Sequence, residues 1–444
     1  MGKYVYFNGN ARIHQLPLGG VIEVNYKDTK FKVDEFEYLD INETAYEACM
    51  SFDGTREPLE ILKSMCQKYN EDLSEHLPWF ENLVRELLQK NVLSISEKKE
   101  YRPIHTSGSK EYVTPLHATF EITHKCNLEC KHCYLESSPK VEDTLSLEEF
   151  KRIASEMYHN GVLTCEITGG EVFVHPQAKE MLEFSLGLFH KIGILTNATL
   201  LREDVLNLLT AYKEKIIVAI SLDSANPEKH DKFRGKRNAF KQTCRNIQRL
   251  AERGIFVRVG MSIYEDNMWE IGEMASLVRS LGAKAFAYNW IDDFGRGKNM
   301  EDLKKFRDSM KEFNEFEMKV VEANQDIIPL VPLSRNKANN CGAGWRSVVM
   351  DPHGNLRPCA LFPKNFSLGN LKTQDYKKIF SGEIVNKLWQ LQAPQQSSLC
   401  SKECPFSSYC SGCYLKGLNA NKNHREHHCN WTKGQSLEPL LEYV

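Results

Sequence analysis

The chain of 444 residues lacks any run of about 18 apolar residues, the length that a membrane-spanning helix requires. Its first ten residues, MGKYVYFNGN, lack the basic and then apolar pattern of a secretory signal peptide. It also lacks an excess of charge of one sign, because 57 Lys and Arg residues stand against 59 Asp and Glu residues. A net charge of −2 gives no general attraction to nucleic acid or to an anionic membrane. We therefore expect a cytoplasmic protein that binds neither.

Cysteine is the residue type that this sequence has in excess, with 14 copies. Disulfides do not explain them, because the cytoplasm is reducing. Four cysteines stand alone and are expected to be small buried apolar residues: Cys49, Cys66, Cys165 and Cys244. The other ten form a group of three and a group of seven, and clustered cysteines are more often metal ligands.

Residues 1–100 are predicted to form a winged-helix-like domain. GGVIEVNY and TKFKV alternate between apolar and polar residues, which predicts a hairpin. REPLEILKSMCQKY and WFENLVRELLQKN have apolar residues at helical spacing, and VLSIS is predicted to return as a strand. DNA binding by a transcription regulator is not expected, because five acidic residues stand against two basic ones between Glu71 and Asn91. A sheet edge beside a helix can instead bind an extended peptide. Residues 101–114 are predicted to be a linker.

Residues 115–325 alternate between short apolar segments and amphipathic ones, which predicts an α/β fold with a parallel sheet. Six strands are predicted, at residues 117–123, 162–168, 191–196, 215–221, 255–261 and 284–290. Six strands are fewer than the eight of a closed TIM barrel, so an open sheet and a partial (β/α)6 barrel both remain. In either fold the loops after the strands lie at one rim and carry function.

Polar residues follow the first four predicted strands at this rim. Three cysteines spaced C-x3-C-x2-C, Cys126, Cys130 and Cys133, begin three residues after the first strand. The sequences GGE (169–171), TNAT (196–199) and SLDS (221–224) follow the next three strands. A structural zinc site is closed by four ligands, so a metal held by three thiolates keeps an open position.

Residues 326–444 are predicted to be a cysteine-rich domain that needs metal to fold. It contains seven clustered cysteines: Cys341, Cys359, Cys400, Cys404, Cys410, Cys413 and Cys429. Seven ligands divide into four and three, which leaves one of two four-ligand sites with an open position. A single zinc site would leave three thiols unused, and sets of thiolates without an obligatory histidine favour iron–sulfur clusters.

The cysteine triplet and the GGE sequence resemble the radical S-adenosylmethionine (SAM) superfamily. The seven-cysteine tail, with Gly354 five residues before Cys359, resembles the SPASM extension, which carries two auxiliary [4Fe-4S] clusters. Residues 1–100 resemble the peptide-recognition element of ribosomal-peptide maturases. Segments such as PLHATFEITHKCNLECKHCYLESSP and CSGCYLKGLNANKNHR extend the resemblance over nearly the whole chain. It is closest to the thioether-forming maturases of subtilosin-type sactipeptides, which share these motifs with ranthipeptide enzymes.

The resemblance implies SAM and three [4Fe-4S] clusters as cofactors. Cys126, Cys130 and Cys133 would hold the catalytic cluster, and SAM would bind its open iron. The remaining contacts to SAM would come from Gly169, Gly170, Glu171, Asn197, Ser221, Asp223 and Arg234. The side chain of His132 would lie near the adenine.

The resemblance also divides the tail between two auxiliary clusters. Cys341, Cys359 and Cys413 would hold the nearer one, and Cys400, Cys404, Cys410 and Cys429 the distal one. The spacing C-x3-C-x5-C-x2-C departs from the C-x2-C-x5-C-x3-C of many SPASM enzymes. This departure leaves open which cysteines share a cluster.

The implied activity is that of an oxidoreductase in bacteriocin biosynthesis. An electron donor such as a flavodoxin or ferredoxin would reduce the catalytic cluster, and a 5′-deoxyadenosyl radical would remove hydrogen from a peptide carbon. A cysteine of the precursor peptide, bound at the open auxiliary iron, would then form a thioether to that carbon. Residues 1–100 would hold the N-terminal leader of the precursor. The alternatives are carbon–carbon crosslinking, formylglycine formation and a non-catalytic, metal-stapled peptide-binding scaffold.

Overall fold

The computed structural model describes residues 3–27, 34–291, 294–300, 310–328, 340–394, 400, 412–422, 431 and 440. The predicted strand TKFKV and the cysteines Cys404, Cys410 and Cys429 lie outside the described residues. The chain divides into two compact units, one formed mainly by residues 1–114 and the other mainly by residues 115–444. Within the described ranges, no helix has the length and apolar character needed to cross a bilayer.

The described residues of the first unit form a four-stranded sheet, a two-stranded sheet and three helices. Its elements are β1 (Tyr4–Phe7), β2 (Ala11–Gln15), β3 (Gly20–Lys27), β4 (Asp34–Ile41), α1 (Glu43–Cys49), α2 (Pro58–Tyr69), α3 (Leu73–Gln89), β5 (Leu93–Ser96) and β6 (Thr106–Gly108). The larger sheet has the order β4-β3-β2-β6, and β1 pairs with β5. The predicted helices and the last predicted strand are therefore present.

Local sequence explains where the helices of this unit begin and end. Helix α2 begins with Pro58, whose fixed backbone angle suits the first helical position. Glu57 and Glu60 form a capping box around that end, and Asn70 ends the helix in the left-handed conformation. The helices bury their apolar faces in one core with Phe52, Phe80 and the strand residues.

Part of the predicted linker is a strand. Residues 106–108 form β6, which pairs in parallel with β2. The sequence Thr-Ser-Gly has no alternating apolar pattern, so nothing local marks it as a strand. Tertiary contacts hold this stretch: the side chain of His14 lies 3.1 Å from the Ser107 hydroxyl and 2.8 Å from the carbonyl oxygen of Thr114.

The second unit is built on a sheet in which nine strands lie within the described residues. Its strands are β7 (His117–Thr123), β8 (Thr164–Gly169), β9 (Lys191–Thr196), β10 (Ile216–Ser221), β11 (Phe256–Ile263), β12 (Ala285–Trp290), β13 (Ser347–Met350), β14 (Asn355–Arg357) and β15 (Gly369–Asn370). The six strands β7 to β12 are parallel and lie in chain order. They correspond to the six predicted strands: β7 and β9 have the predicted bounds, and the bounds of the other four differ by at most two residues.

The cysteine-rich segment continues the same sheet. Strand β13 pairs in parallel with β7, from Ser347 opposite His117 to Met350 opposite Phe120. Strands β14 and β15 follow in antiparallel order. The strand that leads into the cysteine triplet therefore has a strand of the cysteine-rich segment directly beside it.

Helices separate the strands of this unit. They are α4 (Leu147–His159), α5 (Ala178–Leu188), α6 (Glu203–Ala211), α7 (Pro227–Arg234), α8 (Ala239–Glu252), α9 (Ile271–Ser280), α10 (Met310–Ala323), α11 (Tyr376–Phe380), α12 (Glu383–Gln390) and α13 (Tyr414–Lys422). Ser146 caps α4 by accepting a hydrogen bond from the backbone N–H of Glu149, as its sequence predicts.

The four isolated cysteines fit the role of small apolar residues. Cys49, Cys66 and Cys165 are buried, and Cys244 is half-buried. No described cysteine is in a disulfide.

Candidate active site

A cavity of about 260 Å³ lies at the carboxyl-terminal rim of the parallel strands. Eight of the residues that the sequence marks for this rim line it: Cys126, Cys130, Cys133, Gly169, Gly170, Asn197, Ser221 and Arg234. His132 lines it as well. Glu171 and Asp223 do not, and both lie fully buried behind the lining. Four loops that are far apart in sequence thus meet at one cavity.

The cysteine loop is held by backbone hydrogen bonds to neighbouring segments. The N–H of Cys126 donates to Ser138, that of Glu129 to Arg234, and that of Lys131 to Phe233. Cys126 and Cys130 are buried, while Cys133 is partly accessible. Burial raises the pKa of Cys126 to about 12, and the thiols of Cys130 and Cys133 add to the rise. Such thiols become thiolates when a metal cation supplies the compensating charge.

The donor set suits a cluster better than a single ion. Across the described residues, no three His, Cys, Asp or Glu side chains converge closely enough to hold one metal ion. A [4Fe-4S] cubane binds each thiolate at a different iron, so its ligands are spread more widely than those around one ion. Three thiols around one cavity match that requirement and would leave one iron of such a cluster for another ligand.

Gly169 and Gly170 are required by the fold of the rim itself. Gly169 has a φ of +143°, and a Cβ there would lie 2.1 Å from the carbonyl oxygen of Thr123. A Cβ on Gly170 would lie 2.3 Å from the carbonyl oxygen of Lys125. The N–H of Gly170 donates to Thr123 and that of Glu171 to Lys125. The GGE sequence therefore packs against the start of the cysteine loop, because only glycine permits this approach.

The carboxylate of Glu171 is hydrogen-bonded within the chain. Its Oε1 accepts from the Thr196 hydroxyl at 2.6 Å and from the N–H of Phe173 at 3.1 Å. Its Oε2 accepts from the N–H of Asn197 at 2.7 Å. Burial raises the pKa of Glu171, and these hydrogen bonds oppose that rise. Glu171 thus fixes the loop after β9.

Asn197 connects that loop to the cysteine loop. Its side-chain N–H₂ donates to the Asn127 side chain at 3.0 Å and lies 3.9 Å from the Cys126 sulfur. Its side-chain oxygen accepts from the N–H and hydroxyl of Thr199. The residue is buried at the cavity wall, so it orients the first cysteine of the triplet.

Arg234 is a buried cation beside the second cysteine. Its Nε donates to the Asp223 carboxylate at 2.5 Å, and its Nη1 lies 3.6 Å from the Cys130 sulfur. Burial opposes the charge, but Asp223 and Cys130 raise the pKa of Arg234, so the guanidinium stays ionised. Burial likewise disfavours the Asp223 carboxylate, but Arg234, His132, His230 and the N–H of Ser262 together outweigh burial and lower the pKa of Asp223. Asp223 therefore positions Arg234 from behind the lining.

The imidazole of His132 lies at one end of a stack of three rings. Its centroid is 4.4 Å from that of Phe233, which is in turn 4.9 Å from that of Tyr264, and both pairs are nearly parallel. Burial and the nearby charge of Arg234 lower the pKa of His132 to about 4. A neutral aromatic ring thus forms part of the cavity wall.

Three buried polar atoms on residues of this wall have no hydrogen-bond partner among the described residues: Nη2 of Arg234, Nδ1 of His132 and Oγ of Ser137. Such atoms are costly unless a ligand or water satisfies them. They include a charged donor, which suits a carboxylate. The cavity therefore fits a small polar molecule that carries an anionic group and approaches the three thiols.

Arg296 completes the wall and was not predicted from the sequence. Its Nε donates to the carbonyl oxygen of Cys130 at 2.7 Å and its Nη2 to that of Ser137 at 2.9 Å. The adjacent Gly295 has a φ of +53°, and a Cβ there would lie 2.5 Å from the carbonyl oxygens of Cys133 and Tyr134. The FGRG sequence gives no local sign of this role, because the role depends on contact with a cysteine loop that is distant in sequence.

Cys341, Cys359 and Cys413 of the tail lie near one another and form a second cluster of thiols. Burial raises the pKa of Cys359 to about 11, and the neighbouring thiols of Cys413 and Cys341 add to the rise. Cys359 and Cys413 pack against a core that contains Phe362 and Tyr414. These are the three residues expected at the nearer auxiliary cluster. Cys400 packs against the same core.

Comparison with protein families gives two matches. Residues 120–278 match the model described as Radical SAM superfamily. Residues 341–414 match the model described as SPASM, an iron–sulfur cluster-binding domain. The chain is also 51% identical over 442 residues to the antilisterial bacteriocin subtilosin biosynthesis protein AlbA of Bacillus subtilis strain 168, covering 99% of both chains. The chain belongs to the radical SAM superfamily.

Within that superfamily it belongs to the SPASM-containing peptide maturases that include AlbA. It is 25% identical over 304 residues to the sporulation killing factor maturation protein SkfB of the same organism, covering 67% of this chain and 72% of SkfB. The fold is similar to that of Streptococcus suis SuiB, crystallised with its precursor peptide SuiA, with a TM-score of 0.64. That match covers 96% of this chain and 98% of SuiB at 15% identity.

Proposed function

We propose that this radical SAM enzyme forms thioether crosslinks between cysteine sulfurs and carbons of a ribosomally synthesised precursor peptide. The observation that carries the proposal is the cavity in which three thiols meet unsatisfied polar atoms of Arg234, His132 and Ser137. Identity of 51% to a subtilosin biosynthesis protein over the full length supports peptide maturation rather than another radical SAM reaction.

The proposed cofactors are SAM and three [4Fe-4S] clusters. When bound, the catalytic cluster and SAM supply one-electron chemistry able to remove hydrogen from an unactivated carbon. Cys126, Cys130 and Cys133 bind the catalytic cluster and leave one iron open. The buried loop excludes water and holds the reacting groups at fixed positions.

The residues of the cavity have separate roles toward SAM in this proposal. The free Nη2 of Arg234, helped by Ser221, binds the carboxylate, and Asp223 positions Arg234. The backbone at Gly169 and Gly170 offers carbonyl oxygens to the amino group, because the N–H groups of Gly170 and Glu171 already donate within the chain. Glu171 and Asn197 act by positioning the rim. His132 packs on the adenine.

The tail binds the two auxiliary clusters. Cys341, Cys359 and Cys413 hold the nearer one, and their mutual proximity supports this grouping. We assign Cys400 to the distal cluster together with Cys404, Cys410 and Cys429. These other three cysteines lie outside the described residues. With three thiolates from the chain, the nearer cluster would accept the thiolate of a peptide cysteine as a further ligand, and coordination to a metal lowers the pKa of a thiol.

The domains follow from the same proposal. Residues 1–100 form a winged-helix-like domain that binds the leader of the precursor. Residues 101–114, which add strand β6 to its sheet, connect it to the rest. Residues 115–325 form a partial (β/α)6 barrel, in support of which six parallel strands lie in chain order. Residues 326–444 form the SPASM domain. The proposed location is the cytoplasm, where a reducing environment keeps cysteine thiols available as ligands.

The test is anaerobic incubation of the reconstituted protein with SAM, a reductant and a candidate precursor peptide that carries core cysteines. The mass of the precursor peptide should fall by two hydrogens for each thioether link. A peptide in which serine replaces the core cysteines should keep its mass. Carbon–carbon crosslinking predicts the same mass loss with the Cys→Ser peptide. Formylglycine formation predicts loss of sulfur, and a non-catalytic scaffold predicts no cleavage of SAM.

A further inference from the structure

The parallel strands β8 to β11 have one fully buried face and one partly exposed face. In β8, the side chains of Cys165 and Ile167 are on the buried face and that of Glu166 is on the other. Residues of β9, β10 and β11 alternate between the same two faces. The partly exposed face continues into the cavity described above, whose lining includes four of its residues: Thr168, Leu195, Ser221 and Ser262. We call it the cavity face of the sheet.

Glu166 is a carboxyl group on the cavity face, one row of side chains below Thr168. Its Oε2 accepts a hydrogen bond from the Thr119 hydroxyl at 3.3 Å and lies 3.9 Å from Nε2 of His117. Burial raises the pKa of this carboxyl, but His117, Arg258 and Thr119 together outweigh burial and lower the pKa. Its Oε1 has no hydrogen-bond partner among the described residues, and the side chain is 32% exposed. Glu166 is therefore an anion with one oxygen available to a ligand.

Arg258 carries the opposite charge on the same face. It stands opposite Ala219 in the register of β10 and β11, and Ala219 stands opposite Leu195 of the cavity lining. Arg258 is exposed, and no ion pair or side-chain hydrogen bond joins it to another described residue. Its charge still contributes to lowering the pKa of Glu166. The two groups thus share one face of the sheet without pairing.

A small residue stands beside each charge, on the strand that lies towards the other charge. Gly193 stands opposite Glu166, and Ala219 opposite Arg258. A Cβ on Gly193 would lie 2.8 Å from Cγ of Glu166 and 3.4 Å from its Oε1. The free oxygen of Glu166 therefore lies over the glycine, on the side towards Arg258. The two strands are three strand spacings apart, or roughly 14 Å in a flat sheet, which leaves a gap between the two charged groups.

The chemistry of this gap suits a neutral group that carries both a donor and an acceptor. Besides His117, the charged residues of β7 to β12 on this face are Glu121, which is paired with Arg357, and Lys191, which has an interaction of its own. A cationic ligand would satisfy the carboxylate and leave the guanidinium unpaired, and an anionic ligand would do the reverse. A trans peptide group satisfies both, because its N–H and C=O point in opposite directions.

We propose that Glu166 and Arg258 bind one peptide group of the precursor, with Oε1 of Glu166 accepting from its N–H and Arg258 donating to its C=O. This inference rests on the proposed function and adds the residues that select which carbon is modified. The cavity face leads to Thr168 and Leu195 in the cavity wall, so a peptide held in the gap presents a neighbouring carbon to the cavity. Fixing that carbon in place raises the rate of hydrogen removal.

The test follows hydrogen removal from the peptide rather than the final product. The probe is a synthetic subtilosin precursor with deuterium on its core carbons, because the chain is 51% identical to a subtilosin biosynthesis protein. The reconstituted full chain is given SAM and a reductant, and deuterium in 5′-deoxyadenosine is measured per SAM cleaved. We expect Glu166→Ala and Arg258→Ala each to lower this ratio at least 10-fold, since each removes a charged hydrogen-bond partner. Glu166→Gln keeps an acceptor oxygen and should fall between Glu166→Ala and the wild type.

Matched variants separate this role from a structural one. Glu252→Ala and Arg245→Ala, at exposed positions of α8, remove the same charges and should behave as the wild type. Gly193→Ala keeps both charges but displaces the Glu166 side chain, so it should also lose deuterium transfer. Cleavage of SAM without peptide should be equal in all these proteins, which shows that the cofactor site is intact.

Backbone esters in the probe identify the group that Glu166 binds. Each ester replaces one peptide N–H of the core by oxygen. One ester position should lower deuterium transfer at least 10-fold with the wild type and less than two-fold with Glu166→Ala, where its partner is already absent. Replacing the Lys and Arg side chains of the probe by neutral ones should have no effect on the dependence on Glu166.

Three results would overturn the binding of a peptide group. The first is deuterium transfer by Glu166→Ala within two-fold of the wild type, and the second is equal tolerance of every ester by the wild type. The third is a dependence on Glu166 that disappears with the neutral probe, which would assign the carboxylate to a cationic side chain. Deuterium transfer without a thioether would remove the proposed function and leave these three comparisons valid. No deuterium transfer by the wild type from any core carbon would remove both.

Discussion

Nη2 of Arg357 lies 2.7 Å from both carboxylate oxygens of Glu121. Both side chains are almost completely buried, and Nη1 of Arg357 also donates to the carbonyl oxygens of Ala360 and Phe362. Glu121 lies on β7, five residues before Cys126, and Arg357 lies at the end of β14, two residues before Cys359. This ion pair ties the strand that precedes the catalytic triplet to the segment that precedes an auxiliary-cluster ligand.

Removing one charge of this pair should destabilise the second unit. We expect Glu121→Gln to lower its free energy of unfolding by about 3 kcal/mol, because the Arg357 charge is left buried without its partner. Denaturant titration of the reconstituted protein under anaerobic conditions measures this. Glu142→Gln is the matched control, since Glu142 pairs with Lys125 at the surface and its loss should have no measurable effect. Equal stability of the two variants would contradict the account.

The free Nη2 of Arg234 should contribute to SAM affinity. We expect Arg234→Lys to weaken SAM binding 10- to 100-fold, because lysine keeps the charge beside Asp223 but lacks the second guanidinium nitrogen. Equilibrium dialysis of SAM with the reconstituted protein measures the Kd. Arg237→Gln, at an exposed position nearby, should leave the Kd unchanged. An unaltered Kd in Arg234→Lys would remove this residue from the site.

A methyl group at Gly170 should prevent the cysteine loop from closing. The Cβ of Gly170→Ala would overlap the carbonyl oxygen of Lys125, which cannot move without displacing Cys126. We expect the iron content to fall by about four per chain, which is one cluster. Gly187→Ala is the control, because a Cβ there has nothing within 4 Å and full iron content is expected. An iron content equal to that of the wild type in both variants would show that the close approach of Gly170 to the Lys125 carbonyl oxygen is not required.

Glu23 should make the first unit less stable at high pH. Burial raises the pKa of this carboxyl to about 7, and Arg12, 3.0 Å away, opposes the rise only in part. Its folded pKa lies above the unfolded value near 4.5, so its stability contribution is complete below pH 4.5 and is lost as pH rises through 7. Glu23→Gln should therefore stabilise the unit at pH 8, by up to about 3 kcal/mol.

Hydrogen exchange of peptides from β2 and β3, corrected for intrinsic rates, measures this effect in the full chain. Protection should fall between pH 5 and pH 8 in the wild type and change less in Glu23→Gln. Glu81→Gln, at an exposed position of α3, should behave as the wild type. The same pH dependence in all three proteins would exclude Glu23 as its source.

The sequence was sufficient to predict the parts of the site that local patterns encode. Apolar segments at regular spacing predicted the six parallel strands, and the rule that loops after such strands share one rim brought Cys126 and Ser221 to one cavity. Arg234 was expected there only from the family resemblance. The pairing of Glu121 with Arg357 could not be predicted, because the two residues are 236 positions apart and each has an unremarkable local context. Ser137 and Arg296 were missed for the same reason.

The function of the glycines was predicted in part. Gly169 and Gly170 were expected to contact the bound cofactor, and they do line the cavity. Their lack of a side chain serves the packing of β8 against residues 123–125, which no pattern within GGE reveals. Strand β13 was also not predicted, because its pairing with β7 joins segments more than 220 residues apart.

The proposed function requires that a cysteine sulfur of the precursor form a covalent bond to a carbon of the same peptide. The decisive measurement is tandem mass spectrometry of precursor peptide treated with the reconstituted protein, SAM and reductant, and then with iodoacetamide under reducing conditions. The account predicts a loss of two hydrogens for each modified cysteine, and modified cysteines that cannot be alkylated. Full alkylation of every cysteine in a peptide of unchanged mass, with SAM cleaved, would contradict it.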